Sequence, residues 1–237
     1  SLPLFGGQHI ILPDGKEGPA NVSIIKALAG TGTLFGKAKL RHSYPHSWRS
    51  KAPVIYRNTP QWFVAIDKPL DDGMSSYGET IRQRALTSIN QLVSWTPIAG
   101  RNRLNAMMEA RPDWVLSRQR AWGVPITLFV NRKTGQYLND PAVNARIVAG
   151  VKELGVDAWS DDRAQGYLGD AYKLDDYERV ADILDVWFDS GSTHAFVLES
   201  GKWPDLMRPE GYTGPLADLY LEGSDQHRGW FQSSLLQ

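Results

Sequence analysis

Cysteine is absent from the 237 residues. That excludes disulfides and thiolate metal sites and suits a reducing compartment, so a cytoplasmic location is expected. Excess charge is missing as well, because 26 Lys and Arg are balanced by 26 Asp and Glu. Such a chain is not an electrostatic nucleic-acid binder as a whole, and any RNA contact needs a local patch. The stretch with Lys37, Lys39, Arg41, Arg49, Lys51 and Arg57 is one, although a solvated face is its simpler explanation. No run of about 18 apolar residues occurs, and the first residues lack a charged segment followed by an apolar one; neither membrane span nor signal peptide is expected. There is no initiating methionine, and the chain stops at Gln237 inside a predicted helix with no capping residue behind it. An internal fragment is therefore expected.

What is present fits a globular chain, with 42% hydrophobic residues and no repeat or low-complexity tract. Residues 1 to 45 are Gly-rich, with turn material at Pro13-Asp14-Gly15 and a predicted helix from about Asn21, its N-cap, to Leu28. Residues 46 to 112 open with extended sequence at Val54-Ile55-Tyr56 and at 61–66. They continue into a helix carrying Ile81, Ala85, Ile89 and Leu92 at helical spacing, then a second helix from about Gly100 to Ala110 burying Leu104, Met107 and Met108. From Pro112 onward, strands are predicted at 114–116, 126–130 and 219–221, and helices at 142–154 and 224–236. Their alternation predicts an α/β domain with a parallel sheet. A polar insertion at 131–182 interrupts it, with a hairpin tip at Lys133-Thr134-Gly135.

The most informative stretch is DLYLEGSDQHRGWF, Asp218 to Phe231. An apolar strand runs into Glu222-Gly223, and Ser224 or Asp225 can cap the helix that follows. In an open parallel sheet, ligands bind beyond the carboxyl ends of strands, which puts Glu222 to Gln226 on a binding edge. A carboxylate accepts bonds from vicinal hydroxyls, a glycine admits close approach, and Gln226 both donates and accepts. That set suits a ribose better than a phosphate. On local physics alone, a helix cap beside a solvated Glu222 is an equal reading.

Two further constellations are weaker. In DILDVWFDSGSTH, Asp182 to His194, acidic residues around an aromatic pair form either a pocket wall or a strand end with Trp187 in the core, and for a lone Trp the core reading carries more weight. His42 and His46 are four apart, but Pro45 lies between them and no further strong ligand is close, so no metal is expected. Nine tryptophans beside several acids also fit a glycan-binding or glycoside-cleaving domain. Against that, Trp48, Trp62, Trp95 and Trp114 fall in apolar contexts that suit a core. A purely structural or RNA-docking fragment is the third reading, testable by salt-dependent binding.

Four blocks decide among these: HSYPHSWRSKAPVIYRNTPQWF, RPDWVLSRQRAWGVPIT, DILDVWFDSGSTH and DLYLEGSDQHRGWFQSSLL. In this order they resemble the bacterial isoleucyl-tRNA synthetases over nearly the whole chain. The SRQ-x-x-WG block is shared with the valine and leucine enzymes, whereas LEGSDQHRGWF points to isoleucine.

The resemblance implies the second half of a class I synthetase Rossmann-type catalytic domain at residues 112 to 237, with a small inserted subdomain at about 131–182. Residues 1 to 50 are then the tail of the editing insertion, and 51 to 111 the return connection. It implies isoleucine, ATP with Mg2+ and tRNA(Ile) as substrates of a longer, monomeric parent enzyme. Glu222 resembles the acid that holds the adenylate, Gly223, Asp225 and Gln226 the ribose and adenine side, and Trp187 and Trp230 the walls of the isoleucine side-chain pocket. Flat rings give an apolar slot with little adjustable freedom. Such a slot discriminates valine poorly, since one methylene is worth only about 1–3 kcal/mol, and the family therefore adds a separate hydrolytic site. The HIGH and KMSKS blocks that neutralise ATP phosphates do not occur in this sequence, nor does the editing site's Thr-rich strand. No catalytic residue is assigned, and the fragment is expected to be inactive alone. Many relatives read HCWRC where Ser47 and Ser50 stand, and in some the thiol pair helps hold zinc. Serine is a poor zinc ligand at neutral pH, so no zinc is expected here. Thr127, where proline is common, is a smaller departure.

Overall fold

The computed structural model describes residues 4–237, which divide into two compact units at Pro60 and Gln61. The first unit holds one helix, α1 (Pro19–Gly30). It starts earlier than the sequence predicts because Pro19 sits at the first helical position, where its fixed φ is favourable, with Gly18 as N-cap. Asn21 instead donates its side-chain amide to the Ile10 carbonyl at 3.2 Å. Among the described residues of this unit only Gly18 and Ala20 are buried. With so little core to receive it, Trp48 is 77% exposed, contrary to expectation, and Arg49 lies 4.9 Å over its ring. Among the described residues, Val54 to Tyr56 pair with no strand.

The second unit is built from short elements. In chain order they are β1 (Phe63–Val64), α2 (Ile81–Thr87), α3 (Ala99–Glu109), β2 (Trp114–Val115), β3 (Ser117–Arg118), β4 (Phe129–Asn131), α4 (Pro141–Leu154), α5 (Ala164–Leu168), β5 (Tyr177–Arg179), β6 (Ile183–Leu184), α6 (Val186–Gly191) and α7 (Trp230–Leu235). All three ladders, β1 with β2, β3 with β6 and β4 with β5, are antiparallel. The expected parallel sheet is thus not found among the described residues. Leu219 to Leu221 has no strand partner, and Leu219 and Leu221 are 76% and 86% exposed. A parallel strand needs neighbours on its edges and cover on its faces, and nothing in the described chain supplies either.

Two separate cores form. One gathers Ile66, Ala85, Ile89, Leu104, Met108, Trp114 and Leu236. Leu92, predicted to join it, is 61% exposed because α2 runs into a π turn at Ser88–Leu92, closed by the Val93 N–H donating to the Ser88 carbonyl at 3.1 Å. The extra residue per turn rotates Leu92 off the buried stripe. Met107 stays half-buried. Arg82 ties this core to the end of α3, donating to the Met108 and Arg111 carbonyls at 2.6 and 2.7 Å and to Asp67 through two nitrogens.

The other core joins Phe129, Val143, Ile147, Trp159, Ala164, Tyr167 and Leu168, mostly from the polar insertion. The hairpin tip is where the sequence puts it. Asn131 Oδ1 accepts the Lys133 and Thr134 N–H groups, and Gly135 takes φ +70°, which glycine adopts without strain. Asp140 caps α4 by accepting the Ala142 N–H at 2.7 Å.

Candidate functional site

The predicted continuous helix 224–236 is broken in two. A single 3₁₀ turn spans Ser224–His227, and α7 begins only after Gly229. The cap expected from Ser224 or Asp225 is not made; Gln226 performs that role from inside the turn, its Oε1 accepting the Trp230 N–H at 3.0 Å. Gln226 also donates to Asp225 Oδ2 at 2.9 Å. A Cβ at Gly223 would stand 2.6 Å from Asp225 Oδ1, so the Asp225 carboxylate folds back over this glycine. Gly223, Asp225 and Gln226 therefore form one local constellation.

Trp187 and Trp230 are reached through Gly229. A Cβ on Gly229 would lie 3.0 Å from Trp187 Cη2 and would also collide with Gln226 Oε1. Trp230 donates its indole N–H to the Ser190 carbonyl at 2.7 Å and packs on Tyr220, ring centroids 4.5 Å apart. Helix α6 crosses α7 closely, since a Cβ at Gly191 would meet the Ser233 carbonyl carbon at 3.0 Å. Trp187, Gln226 and Trp230 thus meet at one small-residue crossing. Trp187 is not a core residue: 39% exposed, it sits in the first turn of α6 and lines a cleft of about 310 Å³.

Glu222 stands apart. It is exposed and has no hydrogen-bond or ion-pair partner among the described residues. A neighbouring cleft of about 360 Å³ is lined by Trp95, Gly100, Arg103, Ser224 and His227. His227 Nδ1 and Ser190 Oγ are buried without hydrogen-bond partners among the described residues.

The 310 Å³ cleft beside Trp187 is lined by Arg111, Trp114, Arg118, Asp185 and Arg228 among others, of which the sequence gives only Trp114 a place in a core and Asp185 a place in a motif that could wall a pocket. Asp185, 5% exposed, accepts from Trp114 Nε1 at 3.0 Å, forms an ion pair with Arg118 at 2.8 Å, and caps α6 through the Trp187 N–H at 3.3 Å. The signal was present as an Asp two residues before Trp187, where a helix could begin. Arg111 lies 5.3 Å from the Trp114 ring centre and donates to Gln232. Burial, the largest effect, pulls the pKa of its guanidinium down, while the Asp185 carboxylate pushes it up. Burial first, and then the Asp185 charge, hold the Asp189 carboxyl above its ordinary range.

In the first unit, the Ser47–Ser50 turn closes by the Ser50 N–H donating to Ser47 Oγ at 3.2 Å. Among the described residues no three His, Asp or Glu side chains gather as a metal site, and no helix is long and apolar enough to cross a membrane.

Comparison with known proteins extends this geometry. The chain is 57% identical over 242 residues to an isoleucine–tRNA ligase of Ruegeria pomeroyi, 56% over 233 residues to that of Zymomonas mobilis, and 51% over 243 residues to that of Rhodopseudomonas palustris. These alignments take in 100%, 98% and 99% of this chain but 24% of each relative, so the chain spans about a quarter of their length. The family model described as tRNA synthetases class I (I, L, M and V) matches residues 19–237. A match over that span, with mixed helices and short strands and the Trp–Gly–Trp crossing inside it, places the chain in the class I tRNA synthetase family.

Proposed function

We propose that this chain is a segment of an isoleucine–tRNA ligase, the enzyme that forms isoleucyl-adenylate from isoleucine and Mg2+-bound ATP and charges tRNA(Ile). The observation that carries this is the 57% identity, along the full chain, to a protein of that name. In this reading the segment supplies one side of the adenylate pocket. Glu222 holds the ribose hydroxyls, Gly223, Asp225 and Gln226 line the ribose and adenine side, and Trp187 and Trp230 flank the isoleucine side chain. The meeting of the Trp187 ring and the Gln226 amide at Gly229, where Gln226 also holds the Trp230 N–H, supports it, since an aromatic face and a polar edge then share one turn.

Residues 1–50 are the tail of the editing insertion, 51–111 the return connection, and 112–237 the second half of a Rossmann-type catalytic domain. Exposed Leu219 and Leu221 suit this assignment, because an extended apolar segment with bare side chains is one that pairs and packs in a larger sheet domain. Attack of the isoleucine carboxylate on the α-phosphorus, with pyrophosphate leaving, concentrates negative charge that fixed cations must stabilise. The HIGH and KMSKS blocks that do so in the family do not occur here, so the segment alone is inactive. The parent enzyme is monomeric and cytoplasmic.

The test is titration of a non-hydrolysable isoleucyl-adenylate analogue against the intact ligase. Glu222→Ala is expected to weaken binding by about 2–3 kcal/mol, the scale of hydrogen bonds to a charged group. Unchanged affinity would remove Glu222 from the ribose.

A further inference from the structure

Asp185 is heavily used at the base of Trp187 and lines the same cleft of about 310 Å³. Its carboxylate is almost fully buried, at 5% exposure, and takes two hydrogen bonds and one ion pair from two stretches of chain. Trp114 Nε1 donates at 3.0 Å to the oxygen that pairs with the Arg118 guanidinium at 2.8 Å, while the Trp187 N–H reaches the other oxygen at 3.3 Å. The backbone is pinned too, with the Asp185 N–H donating to the Leu116 carbonyl at 2.7 Å. Arg118 is itself held by the Val115 and Ser117 carbonyls at 2.7 and 2.9 Å, and Trp114 packs on Phe188 with ring centroids 5.9 Å apart. Trp187 is therefore anchored at its base by Asp185, and its outer edge lies beside Gly229, where an added Cβ would stand 3.0 Å from Cη2.

We infer that Asp185 is the positioning residue of the amino-acid pocket, its buried carboxylate fixing Trp187 against Gly229 so that the ring presents a set face to the substrate side chain. The inference rests on the reading of Trp187 as a wall of the isoleucine slot. The physical ground is that discrimination between side chains one methylene apart depends on a wall that does not yield. A buried carboxylate held by two donors and an ion pair is a stiff mount. Asn at this position loses the charge and offers an NH2 that must face a donor, so the ion pair and at least one of the two hydrogen bonds are lost while shape is kept.

The test is isoleucine- and valine-dependent ATP–pyrophosphate exchange by the intact ligase. Trp187→Ala should raise KM for isoleucine and narrow the preference over valine. Asp185→Asn should move the same two quantities by about tenfold, with KM for ATP and kcat held within about twofold, the pattern of lost side-chain positioning. The double variant should be no worse than Trp187→Ala alone, because both act through one ring. Trp114→Phe, which removes only the indole donor and keeps an aromatic ring, should show a smaller shift in the same direction, and it decides the matter if Asp185→Asn does not fold. Equal changes in both KM values, a loss confined to kcat, full additivity with Trp187→Ala, or an unchanged isoleucine KM in Trp114→Phe would each overturn the inference. If Trp187→Ala itself left isoleucine recognition intact, the pocket reading would fall and the inference with it. If Trp187→Ala shifted it and Asp185→Asn did not, the inference alone would fall.

Discussion

The core built around 129–180 and the segment from Asp218 to Trp230 belong to the same compact unit and are opposites in how they meet their own needs. In the first, Phe129 and Leu168 are 1% and 0% exposed, and the rings of Phe129, Trp159 and Tyr167 pack in series at 4.9 and 6.0 Å. Its buried polar groups find partners nearby. Trp159 Nε1 donates to the Val180 carbonyl, Tyr167 Oη to the Ala158 carbonyl, and Arg146 to the Tyr167 and Leu168 carbonyls. In the second, Leu219 and Leu221 lie bare and Glu222 has no partner among the described residues. One region satisfies its apolar and polar groups internally; the other leaves apolar surface and a carboxylate without partners among the described residues.

The sharpest way to break that contrast is to damage the self-sufficient region. Phe129→Ala removes a fully buried ring and is expected to cost about 3–5 kcal/mol in denaturant unfolding of the chain. A loss below about 1 kcal/mol, the size of an ordinary surface change, would mean that this core is not what holds the region.

A smaller effect tests the site side. Burial and the Asp185 charge raise the pKa of Asp189 above its ordinary 3.8 in the fold. An acid raised on folding favours the native state below its unfolded pKa, and that contribution is lost as pH rises through the folded value. Near neutrality Asp189 is therefore a burden, and Asp189→Asn should raise the melting midpoint near pH 7 and leave it unchanged at about pH 3. An equal gain at both pH values would point to packing instead of charge.

How much of this was legible from residues alone follows the same division. Helix α4, the Gly135 hairpin tip and the buried Leu104 and Met108 were readable, because their signals are local: a capping Asp140, an Asn131 side chain folding back, an apolar stripe at helical spacing. The parallel sheet was not. A strand is defined by its neighbours, and Leu219 to Leu221 carries the composition of one without a neighbour among the described residues. The break at Gly229 was also hidden, since it depends on the Gln226 side chain turning back and on Trp187 arriving from forty residues away. Asp185 stood in a motif that read as a pocket wall, and its cap on the Trp187 N–H is local, but its partners Trp114 and Arg118 come from a block about seventy residues away that no spacing rule connects.

The contrast between a finished core and an open site meets its most direct test in amide hydrogen exchange of the intact ligase with and without a non-hydrolysable isoleucyl-adenylate analogue. Amides of residues 219–230 are expected to slow markedly on binding, while those of β4, α4 and β5 keep their rates. Unchanged exchange across 219–230, or protection that appears in the 129–180 core instead, would contradict the assignment of the adenylate to this segment.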